Sequence, residues 1–247
     1  MRYLCMHKVS PEDEADRPPP PGLVQGMGEL IGELARSGAF LAGEGLRPSS
    51  KRFRLKRAKE GWKVERGPLT GENELPAGLA IVKVASVDEA LSWAQRFGAA
   101  VEAEALELGP LTEEWDLGLC PEPAGDVPRR FMILPRATSA TEAGREPTPR
   151  QRAARAALES EMTAAGVLTF SARLEPSAQA VRARYLDGDR SLVDGPFTES
   201  KELIGGFCLI EMKSLDELLE FTDRFVHVLG GTREIDIRPV AEVTHGL

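Results

Sequence analysis

DGPFTESKELIGGF, from Asp194 to Phe207, occurs nearly twice in this 247-residue chain. The other copy, RGPLTGENELPAGL, runs from Arg66 to Leu79, 128 residues earlier. A repeat of this length decides the architecture before any single residue is weighed, because it makes the chain a duplication of one structural unit.

Outward from the motif the correspondence continues. Arg130-Phe131-Met132 answers Arg2-Tyr3-Leu4, Pro149 answers Pro21, and Leu158, Glu161 and Gly166 answer Leu30, Glu33 and Gly38. Pro176-Ser177 answers Pro48-Ser49, and Ser214, Asp216 and Glu217 reproduce Ser86, Asp88 and Glu89. In the first half, strands are expected at 2–9 and 40–46, a hairpin across 51–66 turning at Lys59-Glu60-Gly61, and strands at 78–85 and 103–108. A helix with Leu23, Met27, Leu30, Ile31 and Leu34 on one face stops at Gly38. A second begins with a capping box, Ser86 and Glu89. The second half repeats the order, with Asp187-Gly188 as its hairpin turn. Each half therefore reads β-α-β-β-β-β-α-β. The units are placed at 1–111 and 130–247, and 112–129, with Pro121, Pro123 and Gly125, is the linker.

The strands 79–85 and 207–213 are apolar on both faces. Ala80, Val82 and Val84 oppose Leu79 and Ile81; Cys208, Ile210 and Met212 oppose Phe207 and Leu209. Such strands need cover on both sides. Two helices per unit cover one face, so the sheets are expected face to face with the helices outside. Lys83 and Glu211 carry opposite charges at equivalent positions, as do Arg66 and Asp194. A symmetric pair of identical chains would set like charges against each other at a two-fold axis, whereas a fused pair is free to differ. Lys83 and Glu211 are accordingly expected to approach one another between the sheets.

Composition narrows the function. At 42% hydrophobic and 28% charged residues the chain can bury a core. A formal charge of −8 argues against wholesale nucleic-acid or anionic-membrane binding. Cys5, Cys120 and Cys208 are scattered and read as neither a disulfide framework nor a metal cluster, so no metal and no cofactor is expected. With no signal peptide or membrane span in the sequence, a cytoplasmic location is expected.

Asp194 is the leading candidate for chemistry: it stands where a hairpin strand enters a loop, as a general base or a ligand-binding carboxylate. The plainer reading is that it shapes the turn. Arg66, its counterpart, and Thr198 are candidate ligand-binding residues, although Thr198 recurs as Thr70 and so also fits a structural role. His7, in the register of Tyr3 and Cys5, is the histidine placed to face the inter-sheet space; its counterpart is Pro135, so a site using it is single-copy. The stretch KRFRLKRAKEGWK, Lys51 to Lys63, is basic with Phe53 and Trp62 interleaved. It reads as an exposed hairpin whose charges discourage edge-to-edge pairing rather than as a nucleic-acid surface.

DGPFTESKE followed by a Gly-Gly-Phe strand resembles the DGPF (DGPFAETKE) branch of the YCII-related proteins. The opening strand, the helix ending before Gly38 or Gly166, and the closing Ile235-to-Val240 segment agree with it. The resemblance covers both repeats, the first in degenerate form. It implies an α+β fold of two fused ferredoxin-like units forming an intramolecular dimeric α/β-barrel arrangement, as a monomer or a homodimer of such chains. YCII relatives have a proposed His–Asp pair in a cleft, and no histidine here matches it. Two readings stay open, with catalysis undecided. One is a small-molecule-binding protein or minor enzyme with a cleft near Asp194. The other is a non-catalytic regulatory or protein-interaction module, linked to an extracytoplasmic function sigma factor. A deep inter-sheet pocket reached by Asp194 would favour the first; a filled interface with an exposed patch, the second.

Overall fold

In the computed structural model, which describes residues 1–72, 74–186, 188–197 and 200–246, both halves follow the expected order. The first contributes β1 (Arg2–Lys8), α1 (Pro21–Arg36), β2 (Phe40–Gly45), β3 (Phe53–Arg57), β4 (Trp62–Arg66), β5 (Gly78–Val84), α2 (Val87–Ala100) and β6 (Ala105–Pro110). The second contributes β7 (Arg129–Pro135), a short α3 (Ser139–Glu142), α4 (Pro149–Ala164), β8 (Leu168–Leu174), β9 (Val181–Leu186), β10 (Asp189–Asp194), β11 (Ile204–Glu211), α5 (Leu215–Leu229) and β12 (Arg233–His245). The chain is thus α+β, with its strands in one large antiparallel sheet.

The strands are not grouped by repeat. β1 and β2 pair with β11, and β1 and β9 with β12; β7 and β8 pair with β5, and β7 with β6. The helices follow: α1 packs on α5, and α2 on α4. Each half-sheet is therefore composite, built from elements of both repeats. The long β12 joins them, pairing with β9 and β1 through Pro239 and with β8 from Val240 onward. The loop bonds repeat the exchange symmetrically. Val9 N–H donates to Leu203 O and Ala137 N–H to Leu75 O; Leu46 N–H donates to Gly205 O and Leu174 N–H to Ala77 O.

The core forms three layers with the alternation read from the sequence. Ala80, Val82 and Val84 pack with Ala94 and Phe97 of α2 and with Met162 of α4. Cys208 and Ile210 pack with Leu30 and Leu34 of α1 and with Phe225 of α5. Between these layers, the opposite faces meet: Leu79, Ile81, Met132 and Phe170 with Leu4, Met6, Phe207 and Leu209. Phe170 and Phe207 stack at 5.9 Å between ring centroids. The inter-sheet space here is filled by side chains.

The expected meeting of Lys83 and Glu211 does not occur. Both are exposed. Lys83 lies opposite Arg130 on β7, and Glu211 bonds Arg2 on β1 at 3.0 Å. Each sits two residues past the last packed residue of its inner face, Ile81 or Leu209, beyond the packed layer. The helix caps also differ in detail from a capping box. Ser86 and Ser214 accept from Glu89 and Glu217 N–H as expected, but those glutamates reach one residue further back, to Ala85 and Lys213 N–H.

Candidate functional site

The motif that organises the sequence organises the centre of the fold. Its two loops touch: Glu74 N–H donates to Ser200 O at 2.7 Å, and Gly71 lies against the Lys201 backbone. Gly67-Pro68 and Gly195-Pro196 are both cis peptides. A Cβ on Gly195 would land on the Ser177 carbonyl, and one on Gly67 on that of Ser49, so glycine is required in both copies by close backbone approach. Phe197 is buried, takes Ser177 Oγ as acceptor for its N–H at 3.0 Å, and lies 4.2 Å beneath the Arg182 guanidinium. The Gly, Pro and Phe of the motif are scaffold.

Around these loops lie two clusters of buried charge whose cations hold equivalent positions. In one, Asp236 accepts from Arg182 Nε at 2.6 Å and Nη2 at 3.1 Å, and Lys8 Nζ lies 2.8 Å away. Burial opposes the Asp236 carboxylate, but Lys8 and Arg182 outweigh it and hold its pKa below the ordinary value. In the other, Arg54 and Arg136, the counterparts of Arg182 and Lys8, each donate to Glu74 at 2.8 Å. Glu72 adds a partner to both, 3.5 Å from Arg54 and 3.0 Å from Arg136. Here burial prevails and raises the Glu74 pKa despite Arg136 and Arg54. Arg52 completes this side, donating to Glu107 at 3.0 Å and to Ile204 O at 2.7 Å. Among the described residues, Arg52 Nη2 and Arg54 Nε have no hydrogen-bond partner. Beside them a cavity of about 10 Å³ is lined by Glu74, Glu107 and Arg136. That is room for one water molecule, not a substrate.

Of these buried charges only Glu74 stands out in the sequence, where its recurrence as Glu202 favours a structural role shared by both halves. Arg52 and Arg54, read as part of an exposed basic hairpin, are 0% and 1% exposed, while Lys59 and Lys63 of the same stretch are exposed. For the arginines the usable signal was Arg54 recurring as Arg182, charge retained between apolar neighbours in both copies.

The residues that were singled out are not brought together. Asp194 is exposed at the end of β10, opposite Val181. Arg66 occupies the equivalent end of β4 in the other half-sheet, its guanidinium 5.6 Å from the Phe53 ring centroid. Thr198 falls outside the described residues, as does Asp187 of the expected turn. His7 does share the face of Tyr3 and Cys5, but that face is turned to the helices: its ring lies 5.7 Å from Phe225 of α5. It does not face the inter-sheet space, which receives Leu4 and Met6 from the same strand. Its imidazole also explains Gly205 of the motif, where a Cβ would come within 2.7 Å of it, whereas Gly206, like its counterpart Gly78, is held to glycine by a backbone oxygen 2.5 Å away, from Glu44 or Ala172. In the first repeat, where Pro135 replaces His7, Ala77 stands in place of Gly205. Burial, aided by Arg233, Arg52 and Lys8 and opposed by Asp13, lowers the His7 pKa to about 4. From β1 to β10 are three strand spacings, about 14 Å, so His7 and Asp194 form no dyad.

The cysteines are less scattered in space than in sequence. Cys5 and Cys208 face each other across β1 and β11 as free, buried thiols, and burial raises both pKa values, that of Cys208 to about 12. Thiols held protonated are poor nucleophiles.

The family model of the YCII-related domain matches residues 1–107 and again 130–241. The chain belongs to the YCII-related domain family, with two tandem copies. A relative, an uncharacterised protein of Rhizobium meliloti (strain 1021), is 38% identical over 85 residues, covering 34% of this chain and 68% of the relative. No solved structure matches the chain. Among the described residues, no helix is long and apolar enough to cross a membrane.

Proposed function

We propose that this YCII-related protein is a non-catalytic regulatory or protein-interaction module. In this reading the units 1–111 and 130–247 form, within one chain, the counterpart of a dimeric α/β barrel, and partners are met on its hairpin edges. The observation that carries it is the filling of the inter-sheet space by Leu4, Met6, Ile81, Met132, Phe170 and Phe207. The separation of Asp194, His7 and Arg66 supports it, as does the exposure of Leu186, Leu192 and Val193 on one projecting hairpin. The small-molecule reading requires Asp194 to reach a ligand. A thermal-shift screen of small molecules on wild type and Asp194→Asn decides between the two. The module reading predicts that no ligand stabilises wild type in a manner dependent on Asp194. A stabilisation that disappears in Asp194→Asn would return the function to a ligand site.

A further inference from the structure

We propose that β10 pairs antiparallel with β10 of a second copy of this chain, Leu192 facing Leu192 across a two-fold axis. The proposal rests on the module reading and names its partner. Among the described residues β10 is hydrogen-bonded on one side only, to β9, and all six of its residues are exposed. Its hairpin carries three exposed large apolar side chains: Leu186 at 62%, Leu192 at 45% and Val193 at 38%. An uncovered strand with apolar side chains is a template for another strand.

The backbone sets which residues take part. Gly195 N–H donates to Ala180 O across the hairpin. Antiparallel bonding alternates along a strand, so Val193 and Ser191 also turn toward β9. Arg190, Leu192 and Asp194 are left with N–H and C=O directed outward. Side-chain charge then selects the register. With the axis at Leu192, Arg190 of each copy, which already bonds Asp223 of its own chain through Nη1 at 2.7 Å, stands opposite Asp194 of the other, giving two complementary pairs flanking an apolar one. An axis at Ser191 sets Arg190 against Leu192, and one at Val193 sets Leu192 against Asp194, so both lose the charge match.

The equivalent edge, β4, is disfavoured. Val64 there is 40% exposed and an axis at Val64 sets Lys63 opposite Glu65, but the hairpin as a whole, with Lys56, Arg57, Lys59, Lys63 and Arg66 against Glu60 and Glu65, is net positive and repels a second copy. Two six-residue strands make a small interface, so the dimer is weak and concentration-dependent.

The test uses the full chain in a Cys120→Ser background, with Cys5 and Cys208 buried. Directly opposed residues in such a pair sit about 5.5 Å apart at Cα, within disulfide range. Mild oxidation is expected to link Leu192→Cys into a covalent dimer at least tenfold faster than Val64→Cys. Sedimentation of wild type is expected to rise from 26.8 kDa toward twice that mass as concentration approaches about 0.5 mM, and Leu192→Lys to stay monomeric. A wild type that remains monomeric overturns the proposal. So does a dimer indifferent to Leu192→Lys, or cross-linking as fast at Val64→Cys as at Leu192→Cys. The ligand screen judges the module reading separately, so the two failures are told apart.

Discussion

The two buried charge clusters set cations at equivalent positions on different carboxylates and behave oppositely, since Asp236 corresponds to Glu107 and Glu74 to Glu202. Asp236 is gripped by Lys8 and Arg182, which keep its carboxylate ionised against burial. Glu74 meets Arg54 and Arg136, yet burial prevails and its pKa rises. Sharing of cations alone does not separate them, since Arg182 also lies 3.2 Å from Glu234; beside Glu74 stands the buried Glu107, whose like charge adds to burial. Arg54 and Arg136 divide their charge between Glu74 and the more exposed Glu72, whose pKa Lys56 and Arg136 pull down to about 2. Duplication preserved the cation positions and let the wiring drift, so one side is an acid-sensitive clamp and the other an acid-tolerant one.

Removing the carboxylate on each side separates them. Asp236→Asn leaves Lys8 buried beside a neutral partner, with Glu234 still 3.2 Å from Arg182, and is expected to cost about 3–5 kcal/mol, measured by denaturant unfolding. Glu74→Gln, with Glu72 still in place, is expected to cost about 1–3 kcal/mol. Equal losses would contradict the difference in wiring.

Acid is the next lever. A His7 whose folded pKa is lowered to about 4 binds its proton less readily folded than unfolded. Its contribution is complete above its unfolded pKa near 6.5 and is lost as pH falls toward 4, by up to about 3 kcal/mol. Asp236, also lowered, loses its contribution further down, as pH falls through the carboxylate range and below. Glu74, raised, works in the opposite sense: its protonation on acidification is relatively favoured in the fold. Unfolding free energy followed from pH 7 to 4 is expected to fall in wild type and to flatten in His7→Gln; parallel profiles would remove His7 from the account.

Smaller effects probe the motif itself. Phe197→Leu, which copies Leu69 of the first repeat, removes the ring beneath Arg182 and is expected to cost about 1–2 kcal/mol. Asp194→Asn, at an exposed position, is expected to change stability by less than about 0.5 kcal/mol. A larger loss at Asp194 than at Phe197 would reverse the assignment of the motif to scaffold.

Much of the fold was legible from residue patterns. The repeat, the element order, the two faces of 79–85 and 207–213 and the cap serines all follow from local spacing, and local spacing survives tertiary context. What was not legible depends on pairing across the repeats. Cys5 opposite Cys208 and His7 over Gly205-Gly206 join residues about 200 positions apart, and no periodicity carries that register. Nor does sequence distinguish a buried arginine from a solvated one. Arg52 and Arg54 stand in a run of lysines and arginines, and partners distant in sequence, Glu74, Glu107 and Ile204 among them, make their burial tolerable. Lys83 and Glu211 failed for a related reason: strand parity gave their face, but not where the packed layer ends.

The central claim is that each half-sheet needs strands from both repeats. Its most direct test is to express residues 1–111 and 130–247 as separate chains and determine their mass and amide-exchange protection, alone and mixed. Neither fragment is expected to be a folded monomer alone, and mixing is expected to restore a 1:1 complex with protected amides in β1, β11 and β12. A 130–247 fragment that is monomeric, folded and protected to the same degree as in the intact chain would contradict it.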